Sequence, residues 1–399
     1  MHAGEPRGSF DILIVGKAAI TLDAPAPDIT RVRNGLKVIV FEQTGEVLEQ
    51  RFGFRIAEYG LRNVFVRIPD HPLVDGITAE ELRDWRGAST ILPPRLKYEK
   101  IPQFNLVPTV KWAGIPVTRV WRNGNRGNVA SALIEKPGRG DFLPIIDGGY
   151  SLQYSPLIQY REGFGMVLFC QMDVTARTEA DPVADKIVRN ILHYTAAWRP
   201  RPARTARYTG DSAGIDYLKK AGFQVSPDEG GATASDALLI AGPGAKIPAN
   251  VATHILSLGV DRAPGITIEA KEHIAAYFVP QPGNSPFAGI SPADVHDRDP
   301  RPLPLVVGGA TILGDGVLAV AGNAVFSQMP AWQFTNQRRT FRRAAFETAR
   351  LLSNLGVPCE TPLLGNFSHP ATASSQRWLN SYYLDTPEEW DDPYRFFRW

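Results

Sequence analysis

The sequence has only two cysteines, Cys170 and Cys359, in 399 residues. Two thiols supply neither a disulfide framework nor a cysteine-based metal site. An excess of one charge is also missing. Lys and Arg number 43 against 41 Asp and Glu, a formal net charge of +2. That balance gives no electrostatic reason to expect DNA, RNA or an anionic membrane as partner. Apolar runs such as Leu303–Val307 and Val317–Ala321 fall far short of a bilayer span. Met1–Phe10 carries no apolar segment of a secretion signal, so a soluble chain is expected and its compartment stays open. The histidines form neither H-x-x-x-H nor H-E-x-x-H, which argues against a helical zinc site. Gly242-Pro243-Gly244, Gly308-Gly309 and Gly314-Asp315-Gly316 complete no phosphate-binding motif and read as tight turns. No cofactor is expected.

What is present is an ordinary globular composition, 44% hydrophobic and 21% charged, on a chain long enough for about two domains. Phe10–Val15 closes on Gly16, and Asp236–Ala241 closes on Gly242; both read as buried parallel strands. Leu36–Phe41 and Gly265–Ile268 read as the next strands, followed by Glu42 and Glu269 and then by helical spacing. Gly76–Asp84 matches Gly289–Asp297, and Val167–Met172 matches Ala324–Met329. A helix with one apolar stripe closes each half: Val183, Ile187, Ile191 and Tyr194, then Phe341, Ala345, Ala349 and Leu352.

Elements recurring in one order point to a duplication. The expected fold is α/β, with two tandem flavodoxin-like parallel-sheet domains. The first lacks the opening unit that Arg207–Thr209 and Ser212–Ala221 give the second. The expected divisions are 1–198 with a β-type insertion at about 86–150, then 203–360, with a connector at Trp198–Pro202. A tail, 361–399, should pack its aromatic end Trp390–Trp399 back on the body. The incomplete first sheet would expose an edge. A fragment of a longer protein is favoured over a misassigned start or a covering partner.

Glu42 and Glu269 suit helix N-termini, where free N–H groups and the dipole favour a carboxylate. The alternative is a pocket carboxylate acting as a general base or holding sugar hydroxyls. Asp84-Trp85-Arg86-Gly87, with Asp147, Tyr154, Gln171, Asp173 and Arg177, is the inventory of a carbohydrate site, and Gln43 joins Glu42 as a ligand candidate. There an aromatic face stacks on the sugar and planar polar groups hold its hydroxyls. The plainer alternative has Arg86 and Arg177 neutralising buried carboxylates while Trp85 plugs the domain edge. Glu42, Asp173 and Glu269 are the catalytic candidates. Cys170 lies inside an apolar strand and reads as an inert core thiol, Cys359 as filler. His71 reads as a loop residue. His273 lies four residues after Glu269 and reads as its helical i,i+4 neighbour.

Asp11–Gly16, Val38–Glu49, His71-Pro72 and Gly165–Gln171 together resemble the class I glutamine amidotransferase-like superfamily. They look most like the degenerate form attached to β-galactosidase-type glycoside hydrolases as a trimerisation domain. Asp84–Gly87, Asp147-Gly148-Gly149, Ser155-Pro156-Leu157 and the tail Asp391–Trp399 look like C-terminal regions of large glycoside-hydrolase-like proteins. The resemblance spans residues 10–195 and, more faintly, 205–357. An active member would carry Cys where Glu42 stands, and a His-x-Glu pair after a late strand. Without the thiol the thioester route is gone. Nor do eight β/α units of a catalytic barrel follow. The resemblance therefore implies a non-catalytic accessory or assembly module, homo-oligomeric, partnered by an upstream catalytic domain or another subunit, with carbohydrate as its ligand. Two alternatives remain: a carbohydrate-binding or glycoside-hydrolysing site of its own, and a residual hydrolase using Cys170.

Overall fold

The structure is a computed structural model; it describes residues 10–89, 91, 110–112, 115–117, 125–230, 236–247, 253–274, 277–297, 300–373, 376–377 and 381–386. The first half contains β1 (Ile12–Val15), β2 (Lys37–Val40), β3 (Ile56–Leu61), β4 (Phe65–Val66), β5 (Trp85–Ala88), β6 (Val110–Trp112), β7 (Ile115–Val117), β8 (Arg126–Gly127), β9 (Ala130–Glu135), β10 (Asp141–Gly148), β11 (Tyr154–Glu162), β12 (Gly165–Cys170) and helix α1 (Pro182–Ala197). β1, β2 and β12 run parallel. β12, β11, β10 and β4 continue the sheet antiparallel, and β9 pairs with β11 and β3. So β9 and β10, inside the expected insertion, are strands of the main sheet.

Helix α1 starts where Asp181 accepts hydrogen bonds from the Val183 and Ala184 N–H groups, with Pro182 at its first position. Its stripe of Val183, Ile187 and Ile191 buries against Ile39, Leu168 and Cys170. The opposite sheet face packs Val38, Val40, Val167 and Phe169 on Phe52, Phe54 and Phe142.

The second half contains β13 (Ala206–Thr209), α2 (Ser212–Lys220), β14 (Val225–Pro227), β15 (Leu238–Ala241), β16 (His254–Leu258), β17 (Thr267–His273), α3 (Pro292–Val295), β18 (Arg301–Gly308), β19 (Thr311–Leu313), β20 (Leu318–Ala321), β21 (Ala324–Ser327), α4 (Arg338–Asn354) and α5 (Leu363–Ser368). Its sheet runs β14-β13-β15-β16-β21-β20-β19, parallel as far as β21 and antiparallel beyond. The chain is thus of the α/β class.

The pairing order β15-β16-β21-β20 has the same directions as β1-β2-β12-β11. Val15, Val40 and Phe169 align across one sheet as Ala241, Ser257 and Phe326 do across the other. The Gly76–Asp84 and Gly289–Asp297 segments agree in detail. Glu81 accepts from the Thr78 N–H at 2.8 Å, Asp294 accepts from the Ser291 N–H at 2.8 Å, and Leu82 and Val295 are both buried.

Three expectations are corrected. The parallel neighbour of β15 is β16, whereas Gly265–Ile268 leads into β17, which pairs antiparallel with β18. Glu269 therefore lies on an exposed strand beside Lys271, 2.9 Å away, and caps no helix. His273 shares that strand; its Nε2 meets the Val295 carbonyl at 2.6 Å. The opening unit of the second half is present as β13, α2 and β14. The chain end returns to the first half, where Leu363, Leu364, Phe367 and Tyr382 join its core. Trp390–Trp399, the aromatic end of the tail, lies outside the described residues, as do Trp121 and Arg122-Asn123-Gly124 of the insertion.

Candidate functional site

In parallel sheets ligands gather beyond the carboxyl ends of the strands. Here those ends are Gly16 after β1, Glu42 and Gln43 after β2, and Gln171 and Asp173 after β12. Glu42 is buried. Its two carboxylate oxygens accept from the Thr175 N–H at 2.7 Å and the Thr175 hydroxyl at 2.6 Å. It ties the loop after β2 to the loop after β12 rather than capping a helix; the helical turn that follows begins at Gly45, with the Thr44 hydroxyl accepting from Val47 N–H. Burial raises its pKa, against the two Thr175 bonds.

Gln43 knits all three loops. Its Oε1 accepts from Ile20 N–H at 3.1 Å. Its Nε2 donates to the Gly16 carbonyl at 2.9 Å and the Phe41 carbonyl at 2.6 Å. Its backbone N–H donates to Gln171 Oε1 at 3.1 Å. Asp173 is fully buried and accepts from the Ser131 hydroxyl at 2.7 and 2.9 Å. Burial, reinforced by the charge of Glu42, lifts it to about 7. Cys170 is buried beside them, with its sulfur 4.0 Å from the Met172 carbonyl. Burial and then Glu42 push its thiol pKa well up. A nucleophilic cysteine needs the opposite, a depressed pKa and an adjacent base.

Trp85 is buried, and its indole N–H donates to the Glu81 carbonyl at 2.8 Å. The Arg177 guanidinium lies over the ring, 5.6 Å from its centroid. Arg177 also donates to the Arg86 carbonyl at 2.7 and 3.1 Å and to the Asn128 carbonyl. The face of Trp85 that would stack on a sugar is thus occupied by an arginine holding backbone. Arg86 keeps an exposed side chain, and its N–H donates to Asp181 at 2.8 Å. Asp84 pairs with Arg62 at 2.6 Å at the surface.

Asp147 stands apart from this cluster, in a buried ion network joining the two halves. Arg67 donates to it at 2.7 Å and to Asp294 at 2.6 Å, while Lys136 donates to Asp294 at 2.8 Å. Burial alone would raise Asp294, but Arg67 and Lys136 hold it down at about 2. The sequence reading did not find Arg67, Lys136, Asp294, Ser131 or Thr175. The available signal was Arg67 itself, a lone charge between Val66 and Ile68.

A groove of about 730 Å³ opens beside His71, Asn190, His193, Tyr194 and Trp198. Its size suits a small ligand. Its polar groups are largely engaged: His71 Nδ1 accepts from Leu73 N–H at 3.2 Å, Asn190 donates to the Leu73 and Asp75 carbonyls, and Asp70 accepts from Gly283 N–H. Burial lowers the His71 pKa to about 4, so its ring is neutral at pH 7. In the second half, a side chain on Gly242 would run into the Tyr208 hydroxyl, which explains that glycine as close packing rather than phosphate binding. Among the described residues, no cluster of His, Cys, Asp and Glu suits a metal ion. Comparison of the chain with protein families, with characterised proteins and with solved structures finds no match.

Proposed function

We propose that the chain is a non-catalytic accessory module of a carbohydrate-degrading enzyme. Its two α/β units are read as flavodoxin-like copies that pack with a catalytic domain or subunit and assemble into a homo-oligomer. The observation that carries this reading is the state of the groups at the carboxyl edge of the first sheet. Glu42, Asp173 and Arg177 are buried and each is bonded to the protein itself. A general base needs a lone pair within reach of the proton it removes, and a sugar subsite needs an uncovered aromatic face. The association with carbohydrate degradation rests on the sequence resemblance alone.

The test combines light scattering of the intact chain with hydrolysis of a panel of nitrophenyl glycosides and tryptophan-fluorescence titration with mono- and disaccharides. A discrete oligomer without turnover is the expected result. Turnover that disappears in Glu42→Gln or Asp173→Asn would overturn the proposal in favour of a glycoside-hydrolysing site. Saturable sugar binding without turnover would instead favour a carbohydrate-binding module.

A further inference from the structure

The two sheets match over five strands, β1-β2-β12-β11-β10 against β15-β16-β21-β20-β19, yet they differ on the other side of β1 and β15. β15 is flanked by β13, which pairs with it in parallel along its whole length. β1 ends its sheet: among the described residues its only strand partner is β2.

The registers give the match its detail. Asp11 and Val15 carbonyls accept from Lys37 and Phe41 N–H groups, so the odd positions of β1 face β2. By the alternation of a parallel ladder, Ile12 and Ile14 turn their N–H and C=O groups to the open edge. Their counterparts are Leu238 and Ile240. Leu238 N–H donates to the carbonyl of Thr205, just ahead of the covering strand β13, and Gly242 N–H donates to that of Thr209 at its end.

Side chains repeat the contrast. Ile14, Ile39 and Leu168 form the row facing α1, as Ile240, Leu256 and Val325 form the row packed in the core of the second half. Ile240 is 0% exposed in a core that includes Tyr217 and Leu218 of α2, whereas Ile14 is 52% exposed. β1 carries no charge, proline or bulge of the kind that blunts a natural edge.

We infer that the β1 edge is a docking site for a strand–helix unit of another polypeptide, laid parallel to β1 as β13 is to β15, with its helix over Ile14. This rests on the assembly reading above and names its face and its partner. A second copy of the chain is a poor source. The corresponding unit of the described residues, β13 and α2, is already bonded on both sides, by β14 and β15. A copy would have to open its own sheet to lend it.

The probe is the intact chain carrying, ahead of Met1 and through a flexible Gly/Ser linker, a copy of its own residues 203–224. Hydrogen exchange is read at the Ile12 and Ile14 amides. The fused unit should slow both by about tenfold or more relative to the unfused chain, and Ile14→Asp in the fusion should restore the fast rate. A circular-dichroism melt of each variant separates loss of docking from loss of fold. Unchanged exchange in a folded fusion would overturn the inference. So would slow exchange in the unfused chain, whether as a monomer, where its own residues cover the edge, or as an oligomer, where a second copy does. Glycosidase turnover by the unfused chain would sink the non-catalytic reading and leave the edge result standing.

Discussion

Asp294→Ala removes the carboxylate at the centre of the ion network between the halves. Asp294 is fully buried and accepts from Arg67 at 2.6 Å, Lys136 at 2.8 Å and its own helix-capping partner Ser291 N–H at 2.8 Å. After substitution Arg67 keeps Asp147, but Lys136 keeps a 3.9 Å approach to that same residue and the Phe346 ring 5.1 Å away, and loses its hydrogen-bonded partner. Stripping one partner from a buried pair costs about 3–5 kcal/mol, and losing the cap adds about 1 kcal/mol. With about 2–4 °C per kcal/mol for a domain of this size, melting should fall by roughly 15 °C. Guanidinium unfolding followed by tryptophan fluorescence reads the loss. Lys136→Met added to Asp294→Ala should cost less than the two separate losses together, by about 1 kcal/mol or more, because the cation no longer stands unpaired. The pH dependence has a fixed sign. Asp294 sits at about 2 in the folded chain, against an ordinary 3.8, so its contribution is full above pH 4 and is lost as pH falls towards 2. The variant should lack that part of the acid limb. A loss in Asp294→Ala below about 1 kcal/mol, the range of ordinary surface changes, would refute the reasoning.

Glu347, buried on α4 with the Ser327 hydroxyl donating to it, is raised by burial to about 8 from 4.5. The folded chain therefore holds a proton that the unfolded chain releases, and stability falls as pH rises from 4.5 towards 8. Glu347→Gln should flatten that decline by about 1 kcal/mol or more in urea titrations at pH 5 and pH 8.5; an unchanged slope contradicts the assignment. Both thiols are buried, so Ellman's reagent should find neither in the native chain and both after unfolding, and fast native labelling of Cys170 would revive the hydrolase alternative. Arg51 is buried and donates to the carbonyls of Thr21, Ala24 and Phe367. Arg51→Met strands those acceptors and should cost about 3 kcal/mol, with faster amide exchange in α5; exchange left unaltered there would show that Arg51 does not anchor the chain end.

The parts of the fold that the sequence displays are those whose side chains obey one period. β1, β15 and β21 are short apolar runs, and α1 and α4 each carry one stripe. β16 escaped because His254 and Ser257 interrupt its run, while the apolar-looking Gly265–Ile268 enters a strand whose Glu269, Lys271 and Glu272 all face solvent. The candidate site was legible as positions but not as roles. Nothing near Glu42 announces that Thr175, 133 positions later, donates to both of its oxygens.

Glu81 and Asp294 state the same limit most sharply. Each holds the matching backbone N–H of its own half, so the repeat in sequence correctly carries the local bond. Glu81 nevertheless keeps a half-open side chain near Lys186, 3.8 Å away, whereas Asp294 is sealed between Arg67 and Lys136. The local bond depends on neighbours three residues apart. The buried ion pair depends on Arg67, 227 positions away, and exists only because the folded chain brings the two residues together. A repeated motif thus fixes what its backbone does, and its place in the assembled molecule decides what its charge does. By the same logic β1, which shares its sequence pattern with β15, differs from it only in what lies alongside.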